Sequence, residues 1–140
     1  MRYILGIDIG TTAIKATVIG EDGAVYGEAA CEYELTTLPT GEVEADLQLY
    51  KDAFEQAIKE AVSSSKVDKK DIKCVGFSST AETCVFLDEN NEPLCKVIAW
   101  MDTRGTKEAE YLSQHFDKKD IISKVGFDNI YAIHPVSKIL

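Results

Sequence analysis

An acidic residue stands inside an otherwise apolar segment near the start of the chain, and a small polar turn follows it. Asp8 interrupts the run Tyr3–Ile9, and Gly10, Thr11 and Thr12 come next, before a second apolar run. A charge within an apolar strand costs free energy unless it lies at an exposed end or has a partner. Glycine permits a sharp turn, and the threonines place N–H groups and hydroxyls at its tip. Such a turn can cradle phosphate oxygens while the carboxylate holds Mg²⁺ directly or through water.

Other interpretations of this turn stay open at the level of sequence. The spacing matches neither the Walker loop nor the Rossmann fingerprint. A plain β-turn with an exposed Asp8 is the simplest alternative. The Asp-x-Gly-Thr order also occurs in aspartic proteases, but no second copy is present to supply the facing aspartate, and Ile9 replaces the usual small hydroxyl residue. Because the turn joins two predicted strands, Tyr3–Ile9 and Ala13–Ile19, phosphate binding is the favoured interpretation. Lys15, on the second strand, either contacts a phosphate or belongs to a solvated face.

Two further groups of residues have side chains suited to binding a polar ligand. The stretch Ser78–Thr83 leaves an apolar run and contains one carboxylate, Glu82, at the kind of strand end where open α/β sheets bind ligands. Trp100, Asp102 and Arg104 could form a sugar platform, because aromatic rings stack on sugars and charged groups bind hydroxyls. The alternatives are a surface glutamate and, for the second group, a helix cap with a paired arginine and a core tryptophan.

The elements that must position these residues follow an α/β order. Three strands in an antiparallel meander come first, then a polar loop over Thr36–Glu44 and a helix with Asp46 as its N-cap. Further strands and helices follow, and another helix begins near Pro135. The predicted strands are Tyr3–Ile9, Ala13–Ile19, about Ala24–Tyr33, Ile72–Ser78, Thr83–Asp88 and about Lys96–Trp100. The predicted helices run to Ser63–Ser65, over about Thr103–Phe116 and over about Lys118–Val125. This order predicts a mixed-sheet α/β domain.

Composition narrows the classes of partner. The chain has 140 residues, the length of one domain, and a net charge of −9. An acidic protein lacks the cationic footprint that nucleic acid or an anionic membrane requires, so neither partner is expected. The longest apolar runs have five residues, too short to span a bilayer, and no signal peptide precedes the first strand. Four scattered cysteines indicate reduced thiols, and we expect a cytoplasmic protein without a metal cluster.

The order and spacing of these groups resemble the N-terminal domain of the FGGY carbohydrate kinases. The resemblance covers the chain from Tyr3 to about Phe116, and more loosely to its end. It is carried by these segments: Asp8-Ile9-Gly10-Thr11-Thr12, Gly41–Asp46, Gly76-Phe77-Ser78-Ser79, Leu87-Asp88 with Pro93-Leu94, and Trp100-x-Asp102-x-Arg104. The resemblance implies a ribonuclease H-like fold of the actin and hexokinase type, a mixed sheet with flanking helices. It also implies ATP- and Mg²⁺-dependent phosphorylation of a sugar or polyol hydroxyl.

The resemblance also implies roles for individual residues. Asp8 would be the Mg²⁺-associated carboxylate, and Gly10, Thr11 and Thr12 the first phosphate loop. Thr80, Ala81 and Glu82 would occupy the stretch that contacts substrate. Glycerol kinases have Arg-Glu where this chain has Ala81-Glu82, and xylulokinases have Met-His. The missing arginine counts against glycerol. Trp100, Asp102 and Arg104 look more like the xylulokinase and gluconokinase branches, which favours a ketopentose such as xylulose or a sugar acid such as gluconate.

The resemblance further implies that these 140 residues are a partial domain. The family's general base, second phosphate loop and adenosine pocket lie beyond residue 140, so the C-terminal domain is absent and the isolated chain is expected to be inactive. An apolar face where the missing half belongs would allow two copies to pair. The alternatives are a glucokinase-like member of the same superfamily and a non-catalytic ATP-binding or interaction module. A glucokinase-like protein would not predict the Trp100-x-Asp102-x-Arg104 pattern. A non-catalytic module would not leave a large apolar face exposed to solvent.

Overall fold

The computed structural model describes residues 1–140. Its strands are β1 (Tyr3–Ile9), β2 (Ala13–Gly20), β3 (Val25–Glu32), β4 (Thr36–Thr37), β5 (Val43–Ala45), β6 (Ile72–Ser79) and β7 (Val97–Ile98). Its helices are α1 (Leu47–Ser65), α2 (Thr106–His115), α3 (Lys118–Val125) and α4 (Pro135–Ile139), with a single 3-10 turn at Lys69–Asp71. None of these helices combines the length and the apolar character that crossing a bilayer requires.

The chain falls into two compact units, whereas its length alone predicts one domain. Unit 1 consists of residues 1–34 and 46–80, and unit 2 of residues 35–45 and 81–140. Unit 1 contains a mixed four-stranded sheet in the order β3-β2-β1-β6, in which only the β1–β6 pair is parallel. The predicted meander and mixed sheet are therefore confirmed. Unit 2 contains a small sheet in the order β4-β5-β7 together with α2, α3 and α4.

The core of unit 1 lies between one face of the sheet and α1. Alternate residues of β1 and β2 are buried there, among them Leu5, Ile7 and Val18. Asp46 caps α1 as predicted, because its side chain accepts a hydrogen bond of 2.8 Å from the N–H of Gln48. The helical spacing of apolar residues predicts one face formed by Leu47, Tyr50, Phe54, Ile58 and Ala61, of which only Ala61 is fully buried. The fully buried seam is instead formed by small residues: Ala53, Ala57, Ala61 and Ser65.

Small residues are needed on this helix face because the helix approaches β3 closely. A Cβ atom added to Gly27 of β3 would lie 2.6 Å from the backbone nitrogen of Ser65 and would also clash with the carbonyl of Ala61. Both obstacles are backbone atoms, which cannot rotate away. Because Gly27 has no side chain, α1 can pack close to the sheet. This close packing leaves room only for small side chains such as alanine along the buried face of the helix.

The second half of the chain differs from its predicted elements. The expected strand Thr83–Asp88 is absent; this stretch forms only isolated bridges, Cys84 to Ile98 and Leu87 to Pro93. Pro93 has no N–H to donate, so a continuous ladder cannot form beside it. Two short strands, β4 and β5, lie where only a loop was predicted, and β5 pairs with β7. Helix α2 is shorter than expected at its N-terminal end, whereas α3 has its predicted bounds. Asp117 caps α3, and Gly126 ends it in a left-handed conformation.

Strand β6 lies at one edge of the unit 1 sheet, and most of it is open to solvent. Seven of its eight residues are exposed, among them Val75 at 46% and Phe77 at 65%. The ring of Phe77 stacks against Phe54 of α1, with centroids 6.4 Å apart. Apolar side chains on an unpaired edge strand are a liability that an isolated domain usually avoids.

We expect Gly27→Ala to lower the free energy of unfolding by about 1–3 kcal/mol, because overpacking at the helix–sheet contact forces backbone atoms apart. Denaturant unfolding of the 140-residue chain measures the effect. Gly76→Ala is the matched control, since no heavy atom lies within 4 Å of the added Cβ. Equal stability of the two variants would contradict the packing argument.

Candidate functional site

The predicted phosphate turn is the tip of the β1–β2 hairpin. Gly10 donates its N–H to the carbonyl of Ala13 at 3.0 Å, which closes the turn. A Cβ at Gly10 would lie 2.8 Å from that same carbonyl oxygen, so a larger residue does not fit this tight turn. Thr12 is exposed at the tip and Thr11 is half-buried. The glycine and the two threonines therefore occupy the positions that the sequence assigns to them.

Tyr33 packs against this turn and bonds to it, although no motif in the sequence points to this residue. Its hydroxyl donates to the carbonyl of Gly10, and its N–H donates to the carbonyl of Thr12 at 3.0 Å. Its ring packs on Tyr50 of α1, with centroids 4.5 Å apart. Burial first, and then the neighbouring Tyr50 and Asp8, raise the pKa of Tyr33. The phenol therefore stays protonated and keeps its donor role. Only the tertiary fold brings this residue back to the turn.

Asp8 is half-buried and lies on the face of the sheet opposite α1. It is in register with Lys15 on β2 and with Ser78 on β6. Asp8, Lys15 and Ser78 line a depression of about 470 Å³, whose floor includes the paired glycines Gly6 and Gly76. The Asp8 carboxylate is therefore accessible to solvent in a concavity large enough for a ligand, and Lys15 lies on the neighbouring strand.

The donor set around Asp8 suits one kind of cation only. No group of three or more histidine, cysteine or acidic side chains is placed to hold a metal ion. A Mg²⁺ held largely by waters and by the phosphates of a nucleotide needs one or two protein carboxylates. Asp8 meets that requirement, and the hydroxyls and N–H groups of the neighbouring turn are donors of the kind that phosphate oxygens accept from. The residues therefore fit Mg²⁺ delivered with a nucleotide and do not fit a metal bound by protein ligands alone.

The stretch that the resemblance assigns to substrate begins at the end of β6. Thr80 is the last residue of unit 1 before the chain enters unit 2. Its N–H donates to the carbonyl of Ile9 at 3.0 Å. Ala81 is exposed, and Glu82 is half-buried in unit 2. Glu82 has a φ of 66°, a left-handed conformation that is rare for a residue with a side chain. Its carboxylate lies 3.8 Å from Nε2 of His134.

Trp100 lies in a turn whose backbone is held from two sides. Its N–H donates to Oγ1 of Thr83 at 3.2 Å. Lys138 of α4 donates to the carbonyls of Ala99 and Trp100 at 3.0 and 3.2 Å. Burial lowers the pKa of Lys138, while Cys84, Asp102 and Glu82 oppose that shift. The indole remains about one-third exposed, as stacking on a sugar would require.

Asp102 is completely buried, with an exposed fraction of 0%. Its carboxylate accepts the N–H of Val43 at 2.6 Å and the guanidinium of Arg104 at 2.9–3.0 Å. Arg104 also reaches Glu44 at 3.0 Å, and Lys96 contacts the other oxygen of Glu44 at 2.8 Å. The arrangement is an ion-pair network that ties β5 to the segment that follows β7.

The pKa values of this network follow from its contacts. Burial acts to raise the pKa of Asp102, but hydrogen bonds from Arg104 and Val43 outweigh it and hold the value below normal. The hydrogen bond to Asp102 raises the pKa of Arg104. Lys96, and then Arg104, lower the pKa of Glu44. All three groups are therefore charged at neutral pH.

The structure groups the predicted substrate residues only in part. Arg104 bonds to both Asp102 and Glu44, whereas Glu82 lies 3.8 Å from His134. Their assignment to substrate stays a prediction. With both carboxylate oxygens engaged and no exposed surface, Asp102 is better suited to positioning the Trp100 turn than to touching a ligand.

The fold is that of a mixed-sheet α/β protein with a tight Gly-Thr-Thr hairpin turn at the end of a central strand. The model of the FGGY family of carbohydrate kinases, N-terminal domain, matches residues 3–140. The chain therefore belongs to the FGGY family of carbohydrate kinases.

Individual relatives agree with the family assignment. The chain is 32% identical to the xylulose kinase of Bacillus subtilis over 83% of its own length, and 31% identical to the gluconokinase of the same organism over 98%. It spans only 23% and 26% of those two proteins. A crystal structure of a xylulose kinase from Brucella ovis superposes with a TM-score of 0.89 at 25% identity, covering 99% of this chain and 28% of that one. The predicted fold class, of the actin and hexokinase type, is confirmed.

We expect Asp102→Asn to lower the free energy of unfolding by about 2–4 kcal/mol at neutral pH, since it leaves Arg104 without its buried partner. The pKa of Asp102 is depressed in the folded state, so its contribution is fully present above the unfolded pKa of about 4. That contribution is lost as the pH falls through the folded pKa. Denaturant unfolding at neutral and acidic pH measures the difference, which should shrink in acid. Asp52→Asn, on the exposed face of α1, is the control. A deficit that stays constant down to low pH would contradict the account.

Proposed function

We propose that the complete protein containing this chain is an ATP-dependent sugar kinase. It transfers the γ-phosphoryl group to a hydroxyl of a ketopentose such as xylulose or of a sugar acid such as gluconate. The observation that carries the proposal is the position of Asp8, beside the hairpin turn and open to a depression on the sheet face. Family membership and the relatives' activities support the reaction class.

The roles of the turn residues follow from their chemistry. Thr11 and Thr12, with the N–H groups of the turn, bind phosphate oxygens, and Lys15 adds a positive charge on the neighbouring strand. Asp8 holds the Mg²⁺ that accompanies the nucleotide. The metal, when bound, neutralises charge on the phosphates, which is the main requirement for phosphoryl transfer. Gly10 keeps the turn tight enough for these groups to converge.

The sugar wall is proposed to lie in unit 2 around Glu82 and Trp100. A carboxylate accepts a sugar hydroxyl, and an exposed indole offers a stacking surface. Ala81 leaves no arginine beside Glu82, which favours a sugar other than glycerol. Asp102 and Arg104 hold the Trp100 turn in place through the network described above.

The exposed apolar side chains of β6 favour this proposal over a self-contained ATP-binding or interaction module. Val75 and Phe77 remain uncovered at an unpaired edge of the sheet. A module that functions alone would be expected to cover or charge that edge. The general base that the family requires is expected outside these 140 residues. The chain by itself is therefore expected to show no sugar-dependent phosphoryl transfer.

The proposal is tested by ATP consumption in the complete gene product with a panel of sugars, polyols and sugar acids. We expect turnover with xylulose or gluconate and a fall in kcat of at least about a hundredfold in Asp8→Asn, because the variant loses the carboxylate that holds the metal. Asp52→Asn removes the same charge from α1 and should retain full activity. Circular dichroism checks that both variants fold. Turnover of Asp8→Asn close to that of the parent protein would remove Asp8 from the nucleotide site.

A further inference from the structure

Glu82 and His134 line one cavity of about 440 Å³ in unit 2. The rest of its wall is mainly apolar and includes Ile121, Phe127 and Val136. Ligand sites of this size commonly combine an apolar lining with a few placed polar groups. Glu82 belongs to the proposed sugar wall, whereas nothing in the motifs of the sequence assigns a role to His134.

The ring of His134 is held rigidly. The residue is 7% exposed, and its ring packs on Phe127 with centroids 4.4 Å apart and edge-on to Tyr131 at 5.5 Å. It also precedes α4, whose Ser137 is buried and donates its hydroxyl hydrogen bond to the carbonyl of Tyr131 at 2.9 Å. A buried histidine fixed in this way presents a defined edge to the cavity.

The hydrogen bond on the other side of the ring determines which nitrogen carries the proton. The N–H of Tyr131 donates to Nδ1 of His134 at 3.2 Å, so Nδ1 acts as an acceptor. In the neutral imidazole the proton then resides on Nε2. Nε2 is the atom that faces Oε1 of Glu82, at 3.8 Å.

This separation is too long for a direct hydrogen bond and suits a shared third atom. Hydrogen bonds of this type span about 2.7–3.2 Å. One oxygen atom can therefore lie about 2.8 Å from both the carboxylate oxygen and Nε2. The carboxylate only accepts and the Nε2–H only donates, so the bridging group must do both. A hydroxyl satisfies that condition, whereas a carbonyl oxygen or a methylene group does not.

We propose that His134 is a specificity-determining residue that, together with Glu82, binds one hydroxyl of the substrate. The hydroxyl donates its proton to Oε1 of Glu82 and accepts the Nε2–H of His134. This inference rests on the proposed function, because it needs Glu82 to face the sugar. It extends the sugar wall to a residue 52 positions away in the chain, and it explains why a histidine with a defined tautomer faces the carboxylate.

The test uses the complete gene product with D-xylulose and D-gluconate as probes. His134→Phe keeps the ring packing and removes the donor, so we expect the KM for the sugar to rise about tenfold, the effect of one lost hydrogen bond. His134→Gln retains an N–H at the equivalent position and should stay within about threefold of the parent protein. The KM for ATP should be unchanged in both variants.

A double variant separates joint recognition from a structural role. If Glu82 and His134 share one hydroxyl, Glu82→Gln combined with His134→Phe should raise the KM little more than the worse single variant. Fully additive effects, or equal losses in the phenylalanine and glutamine variants, would overturn the inference. An unchanged sugar KM in His134→Phe would do the same while leaving the kinase proposal intact. A gene product that phosphorylates neither probe nor any other sugar would overturn the proposed function, and the inference with it.

The tautomer is measured independently of activity. Long-range ¹H–¹⁵N correlation spectra of the 140-residue chain at alkaline pH should show a protonated Nε2 and an unprotonated Nδ1 for His134. The opposite tautomer would remove the donor that faces Glu82 and would overturn the inference, even if His134→Phe fails to fold.

Discussion

The position of one carboxylate at the end of a central strand is the constraint on which the proposed nucleotide site depends. Asp8 lies in β1, between β2 on one side and β6 on the other, so the backbone around it is fully paired. Its side chain must therefore point to one face of the sheet. Since α1 covers the opposite face, the carboxylate opens onto the uncovered one. The tight Gly10 turn and the tyrosine behind it then place polar backbone groups next to the acid.

The local elements of unit 1 could be predicted from the sequence because their signals are local. Short apolar runs on either side of a Gly-Thr-Thr turn indicate β1 and β2, and an Asp22-Gly23 turn joins β2 to β3. Asp46 stands directly before the first residue of a continuous helical pattern and caps α1 as expected. The buried seam of α1 was harder to predict. Larger apolar residues follow the same helical period, and only the closeness of Gly27 explains why alanines lie innermost.

The parts that could not be predicted depend on contacts between distant segments. The pattern of Asp102 and Arg104 indicates a helix cap or a sugar ligand equally well, because the residue that decides the matter is Val43, 59 positions away. The residues of Thr83–Asp88 are typical of a strand, but no neighbouring strand pairs with them beyond two isolated bridges. Tyr33 and His134 show the same limit, since only the fold brings Tyr33 to Gly10, 23 positions away, and His134 to within 3.8 Å of Glu82.

Paramagnetic broadening by Mn²⁺–ATP shows whether Asp8 and the hairpin turn bind a metal–nucleotide complex. Mn²⁺ replaces Mg²⁺ and broadens the amide signals of nearby residues in spectra of the 140-residue chain. We expect selective broadening at residues 8–12, which exceeds that from Mn²⁺ alone and disappears in Asp8→Asn. Broadening that spares this turn, or that persists unchanged in the variant, would contradict such binding.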